Sequence, residues 1–247
     1  MKVSIITVAY NSQATISDTI KSVINQTYKD IEYIIIDGAS TDNTMSIIEA
    51  YKDNIHTIVS EPDSGLYDAM NKGIQYATGD VIGILNSDDY YENNAVIEKI
   101  VNTIKQSNAD VCYADLNYVH PVNTSKVIRR WKSGKFRKSS FYYGWMPPHP
   151  TIFVKKRVYN KVGLFNLGLK SAADYELILR IFLKGNFTIA YLPETIVCMR
   201  TGGNSNASLK NRIKANKEDR MAWRMNGIKP YFFTLFLKPF RKVFQYF

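Results

Sequence analysis

The feature that most restricts this chain is an alternation. Through its first half, short continuous apolar runs alternate with apolar residues at helical spacing. Val3 to Ala9 is an apolar run with β-branched residues, the signature of a strand buried on both faces. Asn11 and Ser12 are suited to cap a helix whose apolar face is Ile16, Ile20, Val23 and Ile24. Ile31 to Ile36 is a second strand, and Thr41 or Asp42 caps the next helix. The cycle repeats with strands at Ile55 to Val59, Val81 to Leu85 and Asp110 to Leu116. Leu66, Met70, Ile74 and Ala77 mark one intervening helix face, and Val96, Ile100, Val101 and Ile104 another. Strands alternating with helices over this length predict an α/β chain, with a mostly parallel sheet covered by helices on both faces.

Such sheets bind ligands beyond the carboxyl ends of their strands. Polar clusters sit at those ends: Tyr10-Asn11, Asp37 to Asp42 and Asn86 to Asp89. The second half is less regular. Pro121 to Ser140 reads as a basic loop or hairpin, Thr151 to Val154 as a short strand, and Asp174 to Leu183 as a helix. Thr188 to Arg200 is strand-like, and Ala207 to Met225 has helical composition.

Charge adds a second constraint. Lys and Arg total 32 against 22 acids, for a net +10 over 247 residues. From Asn204 to Phe247 there are ten basic residues and two acids, so most of the excess lies there. A second cluster, Lys126, Arg129, Arg130, Lys132, Lys135, Arg137 and Lys138, contains no acid. Anionic lipid, a phosphorylated substrate or nucleic acid would suit this charge. No nucleic-acid fold signature accompanies it, which argues against the last. The two cysteines, Cys112 and Cys198, make no disulfide framework and suit a reducing cytosol. His56, His120 and His149 are isolated, so a zinc site is not expected. The apolar run after Lys2 ends at Ala9-Tyr10-Asn11-Ser12, as a strand rather than a leader, and no window reaches the roughly 18 apolar residues of a membrane span.

Four local groups have chemistry within reach, and each has a plainer reading. Asn86-Ser87-Asp88-Asp89 sets adjacent carboxylates directly after a buried strand. Their repulsion calls for a positive partner, and a divalent cation with oxygen ligands supplies one. The same acids suit a helix cap. Asp37-Gly38-Ala39-Ser40-Thr41-Asp42 offers a carboxylate to a base or ribose, or a turn and cap, with Gly38 permitting a sharp turn. Asp68, Asn71 and Lys72 share a polar helix face, near a phosphate or merely solvated. Ala173-Asp174-Tyr175-Glu176 opens a helix. One acid there suits a general base, or both serve the fold, with Glu176 paired to Arg180 at i, i+4 spacing. His149, between prolines, suits phosphate, sugar or simple packing.

Taken together and in order, these segments resemble family 2 glycosyltransferases of the GT-A fold. The likeness is to the bacterial type that builds capsule, O-antigen and exopolysaccharide, including colanic-acid-type enzymes. It rests on Val3 to Asn11, Ser22 to Thr27, Ile36 to Thr44, Glu61 to Gly73, Gly79-Asp80, Asn86 to Asp89, His149-Pro150-Thr151 and Ala173 to Glu176, and covers residues 1–205. It implies a nucleotide-sugar-binding half over 1–115, an acceptor-side half over 116–205, and a basic helical and aromatic tail over 206–247. By resemblance, Thr7, Ala9 and Tyr10 line the base pocket and Asp37 binds base or ribose. Asp68 and Lys72 lie near the donor. Asp88 and Asp89 hold a divalent metal, Mg²⁺ or Mn²⁺, with Asp88 also near the ribose. Arg200, in Arg200-Thr201-Gly202-Gly203-Asn204-Ser205, helps at the diphosphate. Asp174 is the catalytic base, with His149 and Glu176 on the acceptor side. Many relatives carry two acids where Asp37-Gly38 stands and a third acid where Asn86 stands. Here the metal contact rests on Asp88 and Asp89.

The reaction implied is an inverting displacement from a nucleotide-diphosphate sugar, UDP-sugar foremost, to a hydroxyl of a saccharide or lipid-linked saccharide. The rival reading is a nucleotide-binding module without transfer. The tail from Ile228 mixes aromatics with Lys and Arg, is broken by Pro230 and Pro239, and is too short to span a bilayer. It suits an anionic membrane surface, at the cytoplasmic face of the inner membrane, or packing on the domain or a second subunit.

Overall fold

The computed structural model describes residues 1–202, 209–243 and 245, with 209–215 and 241–243 described by their backbone. The first half runs β1 (Val3–Ala9), α1 (Ile16–Ile24), β2 (Ile31–Asp37), α2 (Thr44–Glu49), β3 (Thr57–Ser60), α3 (Leu66–Tyr76), β4 (Val81–Asn86), β5 (Asp89–Tyr91), α4 (Val96–Ser107) and β6 (Val111–Val119). The second half adds β7 (Val127–Trp131), α5 (Lys138–Tyr142), β8 (Phe153–Lys155), α6 (Lys156–Val162), α7 (Ala173–Leu179), β9 (Ile189–Arg200), α8 (Leu209–Met225) and α9 (Thr234–Val243).

The strands form one sheet in the order β3-β2-β1-β4-β8-β6-β9-β5, with β7 paired to β6. The pairs among β3, β2, β1 and β4 are parallel. Period-two alternation sends neighbours to opposite faces. Ile6, Ile34 and Ile36 pack with Met70 and Ile74 of α3 on one side. Ile5 and Ile35 pack with Ile16 and Ile20 of α1 and with Ile97 and Ile100 of α4 on the other. Each such side chain contributes roughly 1.5–3 kcal/mol by leaving water. Both faces are covered, which is why these strands read as continuous apolar runs.

The register sets the site. Ala9 pairs with Asp37, Val8 with Asn86, and Asp37 with Ser60. The carboxyl ends of four neighbouring strands therefore finish nearly level, and their polar loops share one edge.

Several elements differ from expectation. The strand expected at 151–154 starts later, because His149–Thr151 forms a 3-10 turn and β8 begins at Phe153. β8 runs antiparallel between β4 and β6, so the sheet is mixed beyond β4. The basic segment after Pro121 is a hairpin, with β7 antiparallel to β6. The helix expected over 174–183 ends at Leu179 and passes into a π turn, Arg180–Lys184. Leu66 is 51% exposed, while Met70, Ile74 and Ala77 are buried. α3 starts beyond the carboxyl ends of the strands, so its first turn has no sheet beneath it. Among the described residues no helix is long and apolar enough to cross a membrane.

Candidate active site

At the ends of β1 and β2, two loops lock together. Asp37 is fully buried. Its Oδ1 accepts from the Ser40 hydroxyl at 2.5 Å, and its Oδ2 from the Ser40 amide at 3.0 Å and the Ser60 hydroxyl at 2.7 Å. Asn11 Oδ1 accepts from the Thr41 amide at 2.9 Å, and the Asn11 amide donates to Ser40 Oγ at 2.8 Å. Asp42 accepts from the Thr44 amide at 2.9 Å, at the start of α2. The sharp turn is made by Ala39 (φ 59°) and Asn11 (φ 47°), not by Gly38. Gly38 serves by having no side chain: a Cβ there would lie 2.5 Å from the Asp63 carboxylate. Tyr10 stands 64% exposed at this mouth, and Ala9 lies buried just below it. Thr7 is deeper, fully buried with its hydroxyl 3.1 Å from that of Tyr33, so it belongs to the sheet body and not to a pocket wall.

The end of β4 carries the acids. Asp89 is fully buried where β5 pairs antiparallel with the end of β9. Its Oδ2 accepts from the Asn86 side-chain amide at 3.2 Å. Among the described residues, its Oδ1 and the Asn86 Oδ1 are both buried without a hydrogen-bond partner. Burial pushes the Asp89 carboxyl well above the ordinary range, and the neighbouring Asp88 charge adds to this. Burial raises the Asp88 carboxyl as well. Two unpaired buried acceptors are costly, and such groups call for an explanation. Two carboxylates and an amide oxygen suit a hard divalent cation that draws its remaining oxygens from water and phosphate. The described residues contain no group of three or more His, Cys, Asp or Glu placed for a metal.

Arg200, at the end of β9, is buried against these acids. It donates to the Asp88 carbonyl at 2.6 Å and to the Asp18 carboxylate at 2.5 Å. Its guanidinium lies 5.1 Å from the Tyr90 ring centre. The segment Gly203-Asn204-Ser205 lies outside the described residues. Asp18 and Thr19 of α1, absent from the sequence reading, and Ser12, read there only as a cap, hold the acidic turn: Asp18 through Arg200, Ser12 through its 2.7 Å contact with the Ser87 hydroxyl, and Thr19. Thr19 donates to the carbonyls of Ser87 (3.0 Å) and Asp89 (2.7 Å). The available signal was Thr19 itself, a polar group next to Ile16, Ile20 and Val23 on an apolar helix face.

The acceptor-side group gathers around Phe165. The Tyr67 hydroxyl donates to Asp174 Oδ1 at 2.9 Å, and among the described residues Asp174 Oδ2 takes no hydrogen bond. The Tyr67 ring stacks on Phe165 at 5.5 Å, and His149 meets Phe165 edge-on at 5.6 Å. Asn71 clamps the Phe165 backbone with two 2.9 Å bonds, so it is a packing residue and not part of a solvated face. Burial lowers the His149 pKa, with Asp174 opposing, which favours the neutral imidazole. Tyr67, given no role in the sequence reading, sits in the Glu61 to Gly73 segment, one residue before Asp68.

Other expected residues are engaged elsewhere. Lys72 pairs with Glu61 at 2.8 Å, donates to the Pro62 carbonyl at 3.1 Å, and lies 3.9 Å from Asp68. Asp68 accepts from the Ser64 amide at 3.0 Å. Glu176 is a correction. It is buried, accepts from Arg180 Nε at 3.0 Å and Nη2 at 2.5 Å, and accepts from Asn226 of α8 at 3.0 Å. Two residues along a helix turn about 200°, so the face opposite Asp174 points into the protein. Glu176 serves the fold, and Asp174 alone of the pair faces Tyr67.

The chain as a whole is similar to known proteins. The model for glycosyl transferase family 2 matches residues 4–166. An uncharacterized glycosyltransferase of Mycobacterium tuberculosis is 31% identical over 189 residues, covering 73% of this chain and 69% of its own. The hyaluronan synthase of Pasteurella multocida is 30% identical over 187 residues, 75% of this chain but 19% of that protein. Among solved structures, S. aureus TarS 1-349 in complex with UDP-GlcNAc superimposes with a TM-score of 0.72 at 20% identity, covering 92% of this chain and 65% of that one. A mannosyltransferase from Pyrobaculum calidifontis, in complex with GDP-Man and Mn²⁺, gives 0.68 at 18% identity, covering 96% and 68%. The last two likenesses show a shared GT-A fold. The parallel sheet, the acids at the tip of β4 and the matched residues lead to one classification: this chain is a glycosyltransferase and belongs to glycosyl transferase family 2.

Proposed function

We propose that the chain transfers a sugar from a nucleotide-diphosphate donor, a UDP-sugar foremost, to an acceptor hydroxyl, with inversion at the anomeric carbon. The observation that carries this is the Asn86–Asp89 turn. Its two unpartnered oxygens and adjacent carboxylates form a buried demand for positive charge at the strand ends where the donor of an α/β sheet belongs. Asp88 and Asp89 would hold a divalent cation, Mg²⁺ or Mn²⁺. Such a cation, when bound, neutralises the diphosphate and the charge on the departing nucleotide. The mannosyltransferase of the same fold, solved in complex with GDP-Man and Mn²⁺, supports this choice. Tyr10, Ala9 and Asp37 border the base and ribose, with Asp37 holding the loop through Ser40 and Ser60. Arg200 keeps positive charge beside the acids through its bonds to Asp88 and Asp18.

Asp174 takes the proton from the acceptor hydroxyl at Oδ2, while Tyr67 fixes the carboxylate through Oδ1. The oxygen so freed attacks the anomeric carbon on the side opposite the nucleotide. The bond to the diphosphate breaks as the new glycosidic bond forms, which inverts the centre. His149, neutral and packed on Phe165, bounds the acceptor side. The acceptor is a saccharide, lipid-linked in the reading we favour, and the product belongs to cell-surface polysaccharide made at the cytoplasmic face of the inner membrane. Residues 1–115 serve the donor and 116–205 the acceptor, and α8 packs on the latter through Trp223 and Asn226.

The test is a donor screen: purified protein, Mn²⁺ or Mg²⁺, a panel of UDP-, GDP- and dTDP-sugars, and release of nucleoside diphosphate. One donor is turned over, EDTA stops it, and Asp174→Asn lowers kcat by roughly 10²–10⁴-fold, the range for a lost general base. Turnover indifferent to EDTA and to Asp174→Asn would refute the assignment.

A further inference from the structure

Beyond the reaction centre, the structure unites two basic segments that lie far apart in the chain. The segment joining β7 to α5 carries Lys132, Lys135 and Arg137, and α5 opens on Lys138, all exposed. The C-terminal helix α9 is laid against the same region. The Thr234 hydroxyl donates to the Tyr142 carbonyl at 2.7 Å, and the Arg130 amide donates to the Gln245 carbonyl at 2.9 Å. A Cβ on Gly144 would lie 2.6 Å from the Lys238 amide, so only a glycine lets the α9 backbone come this close. Tyr142 and Tyr143 meet Tyr231 ring to ring at 5.1 and 6.4 Å.

The buried side of α9 is Thr234 and Leu235. Among the described residues, its other side is exposed. Phe232 is 88% exposed in the turn leading in, and Phe236 and Phe240, one helical turn apart, are 60% and 65% exposed. Tyr143 and Tyr231 extend the patch. Lys229 is exposed beside it. Lys238 is not free, since it pairs with Asp219 at 2.8 Å and lies over the Tyr175 ring. Single exposed apolar residues are ordinary, but exposed phenylalanines one helical turn apart, on a helix laid against a segment with exposed Lys and Arg, mark an interaction site.

We infer that this face, made of Phe232, Phe236 and Phe240 on the α9 side and Lys132, Lys135 and Arg137 on the hairpin side, docks on an anionic lipid bilayer. Rings at the headgroup level and cations facing acidic lipids are how such a surface binds. Charge favours lipid over a second copy of the chain: two such faces would bring like charges together, whereas acidic headgroups complement them. The inference extends the proposed function by placing the enzyme at the surface that holds a lipid-linked acceptor.

The test is flotation of the full chain with vesicles of phosphatidylcholine alone and of phosphatidylcholine mixed with phosphatidylglycerol. Wild type binds the mixed vesicles and not the neutral ones, and salt weakens binding. The variant Phe232→Ser/Phe236→Ser/Phe240→Ser and the variant Lys132→Glu/Lys135→Glu/Arg137→Glu each lose at least about tenfold of that binding, as expected when either ring insertion or charge is removed. Both keep the wild-type melting temperature and donor turnover. Failure of wild type to bind mixed vesicles, or undiminished binding by either variant, would overturn the inference. So would a phenylalanine variant that instead converts a dimer to a monomer in sedimentation. Vesicle binding does not read sugar transfer, so this inference and the proposed function fail separately.

Discussion

Asp89→Asn separates stability from function at the proposed cation site. In the wild type, Asp89 is fully buried, Oδ1 has no donor, and Asp88 stands beside it. A buried acceptor left unpaired costs about 1–3 kcal/mol, more when charged. Asparagine keeps the shape and removes the buried charge. Without metal, the variant should therefore be more stable by about 1–3 kcal/mol. At about 2–4 °C per kcal/mol for a chain of this size, its melting midpoint in EDTA rises by about 2–12 °C. Cation at about 100 times its Kd stabilises the wild type by about 2.7 kcal/mol, or about 5–11 °C, and leaves the variant almost unmoved. Sugar transfer falls severely in the same variant. Differential scanning fluorimetry with EDTA, Mg²⁺ and Mn²⁺, run beside the nucleotide-release assay, reads all three effects. If the variant melts below wild type in EDTA, or keeps the cation shift, then Asp89 is paying for the fold and does not hold a metal.

Two further outcomes follow from buried charges away from the acids. Arg180→Met strands Glu176 and removes donors from the Val162 and Leu164 carbonyls. Breaking such a buried pair costs about 3–5 kcal/mol, read as a lower urea midpoint, with the acceptor KM unchanged. A raised KM at unchanged stability would return Glu176 to the acceptor side. At the other end of the sheet, burial pushes the Glu32 carboxyl up, but hydrogen bonds from Lys2, Ser4 and Thr78 outweigh it and hold the pKa down at about 2. A depressed folded pKa stabilises above the unfolded value, here 4.5, and the effect is lost as pH falls toward about 2. Glu32→Gln therefore costs on the order of 1–3 kcal/mol at pH 7, allowing for solvent screening. Urea unfolding at several pH values should show the wild-type and variant stabilities converging in acid; a constant gap would mean the cost is steric.

The parts of the fold that proved legible share one physical property: the evidence for them is local. Strands buried on both faces must be apolar throughout, so β1, β2 and β4 were readable within a residue or so of their observed bounds. The position of Asp37 and of Asn86 to Asp89 followed, because each comes directly after such a run. The resemblance to family 2 drew on the same segments, since the residues beyond strand ends carry the chemistry. The second half was harder. β8 has three residues, too few for any period to show, and its place between β4 and β6 depends on partners from either side.

Side-chain roles divided along the same line. Local order put Asp174 and Glu176 at one helix start but did not say which faced the site. Helix phase against α8 and Asn226 decided that Glu176 turns inward and Asp174 meets Tyr67. Lys72 looked available to a phosphate until Glu61 proved to be in contact with it. Arg200 was placed near the acids, yet its tie to Asp18 spans 182 residues. The sequence by itself determined the α/β alternation, the acids at strand tips and the two basic clusters, because apolar period, turn chemistry and charge are properties of neighbouring residues. Only the tertiary structure decided which charges are neutralised, which oxygens are left unpaired and that α9 lies against the segment after β7, because those depend on long-range contacts that bring distant parts of the chain together.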